Sequence, residues 1–285
     1  MRAFEPADIA SFGCTGVGNV RQDNQDAMRF CREDDLTAAH GHLYGIADGM
    51  GGYAHGAVAS SLALELFFET FYKSNGIAMP QKLRTAVQNA NVGVYQAAQR
   101  IGAGKMGSTL TAVNFSGDRL SIAHVGDSRA YLLRDGIASC LTKDHTRVGE
   151  MVRLGLLPAE KLRGHHQRSV LSRCLGVDLF VTPDVEQATV RNGDVIILCT
   201  DGVWSVIEDR EFAAMASRGS EPEDLARRIF DTALSRESDD NLSVLAIEIR
   251  RVAPRPGGAA GGSRRFSLAG VLGRIPGLRR GTGGQ

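Results

Sequence analysis

The chain has 285 residues, 43% hydrophobic and 23% charged, enough to bury one large or two modest cores, which excludes disorder, a collagen repeat or a disulfide scaffold for its body. Lys and Arg number 33 against 32 Asp and Glu, a net charge of +1 that gives no general pull toward nucleic acid. That balance hides an asymmetry: residues 252–285 hold six arginines and no acid, so this stretch carries +6 and the rest −5.

At the start, Met1 to Ile9 mixes Arg2 with Glu5 and Asp8 and has no apolar run of signal length, and nowhere do 18 apolar residues run together. The cysteines (Cys14, Cys31, Cys140, Cys174, Cys199) are odd in number, widely spaced and without a C-x-x-C pair, which fits reduced thiols. The expectation is a soluble, cytoplasmic monomer.

Apolar runs of strand length follow at Leu43 to Ala47, Leu120 to Val125, Ala130 to Leu133, Val195 to Cys199 and Leu242 to Ile249, each ending in a polar cluster. Between them, Val58 to Tyr72 and Gln81 to Ile101 read as helices, the second with Leu83, Val87, Ala90, Val94 and Ala97 on one face. Asp224 to Leu234 is a third, spacing Leu225, Ile229 and Ala233 by four, with Ser220 and Glu223 predicting a capping box around Pro222. The elements do not alternate as a βαβ array, so the class is α+β. Residues 144–180 break the pattern with basic and histidine residues and read as a flap. After Arg250 the composition turns to Pro, Gly, Ala and Arg, a disordered basic linker, followed by an apolar stretch from Phe266 to Leu278 that is too short to span a bilayer.

Four strand ends deliver an aspartate: Asp48 after LYGIA, Asp127 after HVG, Asp201 after VIILCT, and Asp240 before the last strand. Each alone reads as a turn residue or a cap. Together they converge on one sheet edge, where their repulsion calls for hard cations, Mg²⁺ or Mn²⁺. Gly49, Gly51 and Gly52 let the chain turn tightly enough there for a carbonyl to reach a metal. Arg21, three residues before Asn24, Gln25 and Asp26, is either a surface ion pair or a guanidinium that forks onto phosphate oxygens.

Six short motifs stand in order: Arg21-x-x-Asn24-Gln25-Asp26, Asp48-Gly49-Met50-Gly51-Gly52, Gly107-Ser108-Thr109, Val125-Gly126-Asp127-Ser128-Arg129, Cys199-Thr200-Asp201-Gly202 and Asp240-Asn241. Each is weak alone, but the set, from about Ile9 to Ile249, resembles the bacterial PP2C (PPM) metal-dependent serine/threonine protein phosphatases. The resemblance implies a central β-sandwich of two antiparallel sheets flanked by helix pairs, spanning residues 1–251, with a binuclear Mn²⁺ or Mg²⁺ centre at its end. By position, Asp48 bridges both metals, Gly49 offers its carbonyl, Asp201 and Asp240 hold one metal, and Asp127 helps hold a third, weaker one. Asp26 becomes an outer carboxylate orienting water and Arg21 the phosphate-binding group. The reaction implied is hydrolysis of phosphoserine or phosphothreonine by a water between two cations, with no phosphoenzyme. Where animal members carry a general-acid His, this chain has Met50; His55 is close by, but a loop His is ordinarily a solvated or capping residue. Tyr53 and Ala57 also depart from the bacterial pattern.

Two other functions compete. A silent signalling module with this fold loses metal aspartates, whereas Asp48, Asp201 and Asp240 are present; a two-metal nuclease needs a basic surface that a −5 body lacks. The expected partners are phosphoproteins and a cognate Ser/Thr kinase, with no nucleic acid, while the tail suits an anionic membrane or an acidic partner.

Overall fold

The computed structural model describes residues 8–30, 40–51, 55–102, 106–216 and 221–252. Its central strands are apolar because both of their faces are buried. Along β3 (His42–Gly51), Tyr44 and Ile46 face one way and Leu43 and Ala47 the other, as the two-residue period of a strand requires. The same split recurs in β11 (Leu242–Arg251), where Leu245, Ile247 and Ile249 lie on one face and Leu242, Val244 and Ala246 on the other. Tyr44, Ile46, Leu245 and Ile247 meet in one core, so two sheets stack face to face, and the outer faces are left for helices.

The first sheet holds β1 (Asp8–Gly16), β11, β10 (Val195–Cys199), β7 (Arg129–Arg134) and β8 (Ile137–Cys140) in that order. The second runs β2 (Asp26–Arg29), β3, β5 (Leu110–Ser116), β6 (Arg119–Val125) and β9 (Asp184–Thr189), with β4 (Met106–Ser108) paired to the end of β3. All of these pairings are antiparallel. The two-sheet α+β sandwich expected from the sequence is therefore present.

Helices α1 (His55–Lys73) and α2 (Met79–Arg100) cover the second sheet. The buried stripe of α1 runs Ala59, Ala63, Phe67, Phe71 and that of α2 Leu83, Val87, Ala90, Val94, each at the three- and four-residue spacing of one helical face. Over the first sheet lie α4 (Asp201–Trp204), α5 (Asp209–Met215) and α6 (Pro222–Ser235), the last burying Leu225, Ile229 and Ala233 as its spacing predicted.

One local expectation needs correction. The N-cap of α6 is Glu221, one residue later than the predicted capping box, and it makes no cap bond; its carboxylate pairs with Arg250 instead. Ser220 lies outside the described residues, as do Cys31, Gly52, Tyr53 and the tail from residue 253. The segment 144–180, read as a flap, holds α3 (Arg147–Arg153) and a 3₁₀ turn (Ala159–Lys161). It is also tied down. Arg163 donates to the Trp204 carbonyl and to Asp209, while Gln88 and Asn91 of α2 hold the backbone of residues 176–181.

Candidate active site

A cavity of about 550 Å³ opens at one end of the sandwich, lined by Asp48, Asp127, Asp201 and Asp240 together with Arg21, Gly49 and Met50. Three of the aspartates sit where the sequence placed them, just past β6 and β10 and just before β11. Asp48 does not: it lies within β3, which continues to Gly51. Its backbone is clamped by the Gly107-Ser108-Thr109 motif. The Asp48 N–H donates to Thr109 Oγ1 at 2.8 Å, and the Thr109 N–H and Ser108 Oγ donate to its carbonyl.

Gly49 is a glycine for a different reason than a tight turn. A Cβ there would stand 1.9 Å from the Gly56 carbonyl and 2.6 Å from that of Gln25. The first turn of α1 and the loop before β2 both close on this strand, and only a bare backbone fits between them.

Asp26 faces Asp48 across the β2–β3 pairing rather than lining the cavity wall. Thr200 is the N-cap of α4, yet its hydroxyl makes no cap bond; it donates to Asp26 Oδ2 at 2.8 Å. Asp26 Oδ1 and Asp201 Oδ1 are buried with no partner, each a loss of about 1–3 kcal/mol if left so. Burial, reinforced by the neighbouring carboxylates, raises the Asp26 pKa to about 7 and that of Asp201 to about 6, and pushes Asp48 and Asp127 well above the usual range.

Burial and mutual repulsion hold these carboxyl groups toward their protonated forms, a cost that a cation's charge would offset. Among the described residues no three His, Cys, Asp or Glu close on a single point. A hard divalent ion does not need them to, since it keeps several waters and takes one or two carboxylates. Crowded carboxylates, two orphaned oxygens and an all-oxygen donor set fit Mg²⁺ or Mn²⁺.

Arg21 lies at the rim, 55% exposed, with Nη2 donating to Asp240 Oδ2 at 2.8 Å. Burial alone would lower its pKa, but Asp240, Asp201 and Asp48 hold it above the ordinary value, so its charge is permanent. Asn241 fixes the loop that carries it: the amide donates to the Val17 and Asp23 carbonyls and accepts from the Gln25 N–H. His55, the first residue of α1, is not among the cavity-lining residues. Arg168 of the flap, which sequence reasoning passed over, bears on the site by lowering the Asp201 pKa. Its only advance signal was membership of a basic segment.

The sequence profile of Protein phosphatase 2C matches residues 10–242. The chain belongs to this family. It is 35% identical over 233 residues to the serine/threonine protein phosphatase PstP of Mycobacterium tuberculosis, covering 81% of this chain and 43% of that protein, so it spans less than half the length of that relative. The serine/threonine phosphatase stp of Listeria innocua is 29% identical over 240 residues, covering 82% of this chain and 93% of that protein. A crystal structure of the PstP catalytic domain in complex with two manganese ions superposes with a TM-score of 0.73 at 30% identity, covering 84% of this chain and 97% of that one. The PP2C membership implied by the six motifs is thus established, and with it the sandwich architecture.

Proposed function

We propose that this PP2C chain is a metal-dependent serine/threonine protein phosphatase that hydrolyses phosphoserine and phosphothreonine in protein substrates. The observation that carries this reading is the meeting of Asp48, Asp127, Asp201 and Asp240 on one cavity with a permanently charged guanidinium at its rim. Asp48, Asp201, Asp240 and the Gly49 carbonyl would hold two cations, Mn²⁺ or Mg²⁺, and Asp127 a third, weaker one. When bound, such cations acidify water and neutralise charge on a phosphoryl group.

The chain's own residues do the rest. Arg21 forks onto the equatorial phosphoryl oxygens, exchanging its bond to Asp240 for a stronger bidentate one. Asp26, with Thr200 fixing Oδ2, leaves Oδ1 to hold or release a proton near neutral pH. Met50 lines the cavity with a thioether that has no proton to give, so it does not protonate the leaving oxygen.

We assign residues 1–251 to the phosphatase domain and 252–285 to a basic tail, a division supported by β11 ending at Arg251. No helix among the described residues is long and apolar enough to cross a membrane. The free thiols Cys14, Cys140, Cys174 and Cys199 suit a reducing compartment, the cytoplasm. A cognate Ser/Thr kinase is the expected opponent, and the phosphatase is expected to act as a monomer. The test is release of phosphate from a phosphothreonine peptide by the full chain with Mn²⁺, with Mg²⁺ and with chelator. Turnover only with metal supports the reading; full turnover in chelator after dialysis removes it, and no turnover under any condition leaves a PP2C-fold binding module.

A further inference from the structure

Gly126, the residue before Asp127, is held by His145 at the root of the flap. The His145 N–H donates to the Gly126 carbonyl at 2.7 Å, and the Gly126 N–H donates back to His145 Nδ1 at 3.1 Å. Gly126 has a φ of +107°, in the region that favours glycine, so this turn needs outside support to stay in one shape. Because Nδ1 accepts, the proton of the neutral ring is on Nε2, which is buried without an aligned hydrogen bond and has the Asp184 Oδ2 charge 3.2 Å away. Asp184, in β9, is itself held by Arg173 at 2.9 Å. The His145 carbonyl accepts from the Ser172 N–H, so the start of the flap and a later part of it meet on this one residue. Its ring is 1% exposed and lies against that of His124 at 4.7 Å between centroids, out of reach of substrate.

We propose that His145 is a positioning residue for Asp127: Asp184 selects the imidazole tautomer whose Nδ1 can accept from Gly126, and that bond sets the turn presenting the Asp127 carboxylate to the cavity. An imidazole with its proton on Nδ1 would oppose the Gly126 N–H with a second donor and release the turn. The flap root and the weakest cation position then move as one unit. The inference rests on Asp127 being a cation ligand, and the experiment separates the two.

Direct Mn²⁺ binding, read from free Mn²⁺ by electron paramagnetic resonance, is compared in the full-length wild type, Asp127→Asn, His145→Gln, His145→Asn and Asp184→Asn. Nitrogen-15 spectra of the imidazole and of the Gly126 amide are recorded alongside. The expectation is that Asp127→Asn and His145→Gln both weaken the weakest class of Mn²⁺ sites, the latter by about 10–100-fold, as loss of an outer-shell partner does. His145→Asn, whose Oδ1 reaches the place of Nδ1, should recover part of the loss. Asp184→Asn keeps the ring in place and should remove the Nε2–H signature together with the weak class; it answers the question should His145→Gln not fold. If Asp127→Asn loses the weak class while His145→Gln and Asp184→Asn keep it, the positioning role is overturned. Retention of that class by all four variants overturns the ligand reading of Asp127, and the inference with it.

Discussion

Asp26 and Asp48 are direct partners across the β2–β3 ladder, two carboxyl groups on neighbouring strands with the hydroxyl of Thr200 fixing one of them. Burial is the largest cause of their raised pKa values; the Asp26 charge adds to that of Asp48, while Asp201 and Asp240 add to that of Asp26. In the absence of cations, proton uptake is the remaining way for the pair to relieve its repulsion.

Stability of the metal-free protein should therefore fall as pH rises. Folded-state pKa values of about 7 for Asp26 and about 6 for Asp201, against an ordinary 3.8, mean that the folded chain binds more protons than the unfolded one across that window. The stabilisation is complete below about 4 and lost as pH passes 7. Thermal unfolding in chelator checks this; a midpoint rising steadily from pH 5 to 7 would contradict the assigned burial. Added Mn²⁺ should raise the midpoint more at pH 7 than at pH 5, since there it displaces fewer protons.

Replacing Asp48 or Asp201 by Asn should abolish phosphopeptide turnover and leave the fold intact. The amide removes charge that cations need and also removes a buried like-charge neighbour, so the metal-free variant should unfold at the same temperature as wild type or higher. Near-wild-type turnover in either variant means that the site is misassigned.

For Arg21→Ala the expected loss is different in kind. The side chain is largely exposed, so the fold loses little, while phosphate loses a bidentate partner whose removal is worth on the order of a hundredfold in rate. Mn²⁺ affinity should not weaken, because Asp240 is freed from an ion pair. Competitive inhibition by inorganic phosphate gives the readout: an unchanged inhibition constant sinks the role.

A methyl group at Gly49 should destabilise the domain as well as the site. The Gly56 carbonyl in its path is backbone, so the first turn of α1 must shift, at a cost of about 1–3 kcal/mol or more. Chemical denaturation of Gly49→Ala in chelator isolates this from any loss of metal. An unchanged midpoint would show that the helix start yields freely.

The aspartates were legible because each follows or precedes an apolar run dense enough to mark a strand buried on both faces. Asp48 shows the limit: its run continued as strand through Gly51, and Gly49, read as part of a turn, is there for close approach. Strands β2 and β9 gave no pattern, since β2 has four half-buried residues and β9, with the sequence DVEQAT, has exposed residues on both faces and none fully buried. Asp26 was accordingly reached through the motif resemblance alone. The anchoring of the flap could not be read at all, because it depends on tertiary contacts between residues such as His145 and Gly126, or Arg163 and Trp204, that no periodicity links.

Truncation after Arg251 should leave turnover on a short phosphopeptide unchanged while reducing sedimentation with anionic vesicles. The last strand ends at Arg251, so removal of residues 252–285 deletes no sheet pairing described here. It does delete six arginines, and each basic residue close to an anionic surface is worth about 1 kcal/mol at low salt. Apolar residues from Phe266 to Leu278 would add contact with the acyl boundary. Because Debye screening shortens with salt, the difference between the two proteins should shrink from 0.01 M to 0.15 M ionic strength, where the screening length falls from about 30 to about 8 Å. Equal sedimentation of full-length and truncated protein at low salt would leave the tail without a membrane role, and lost peptide turnover would place part of the catalytic domain beyond Arg251.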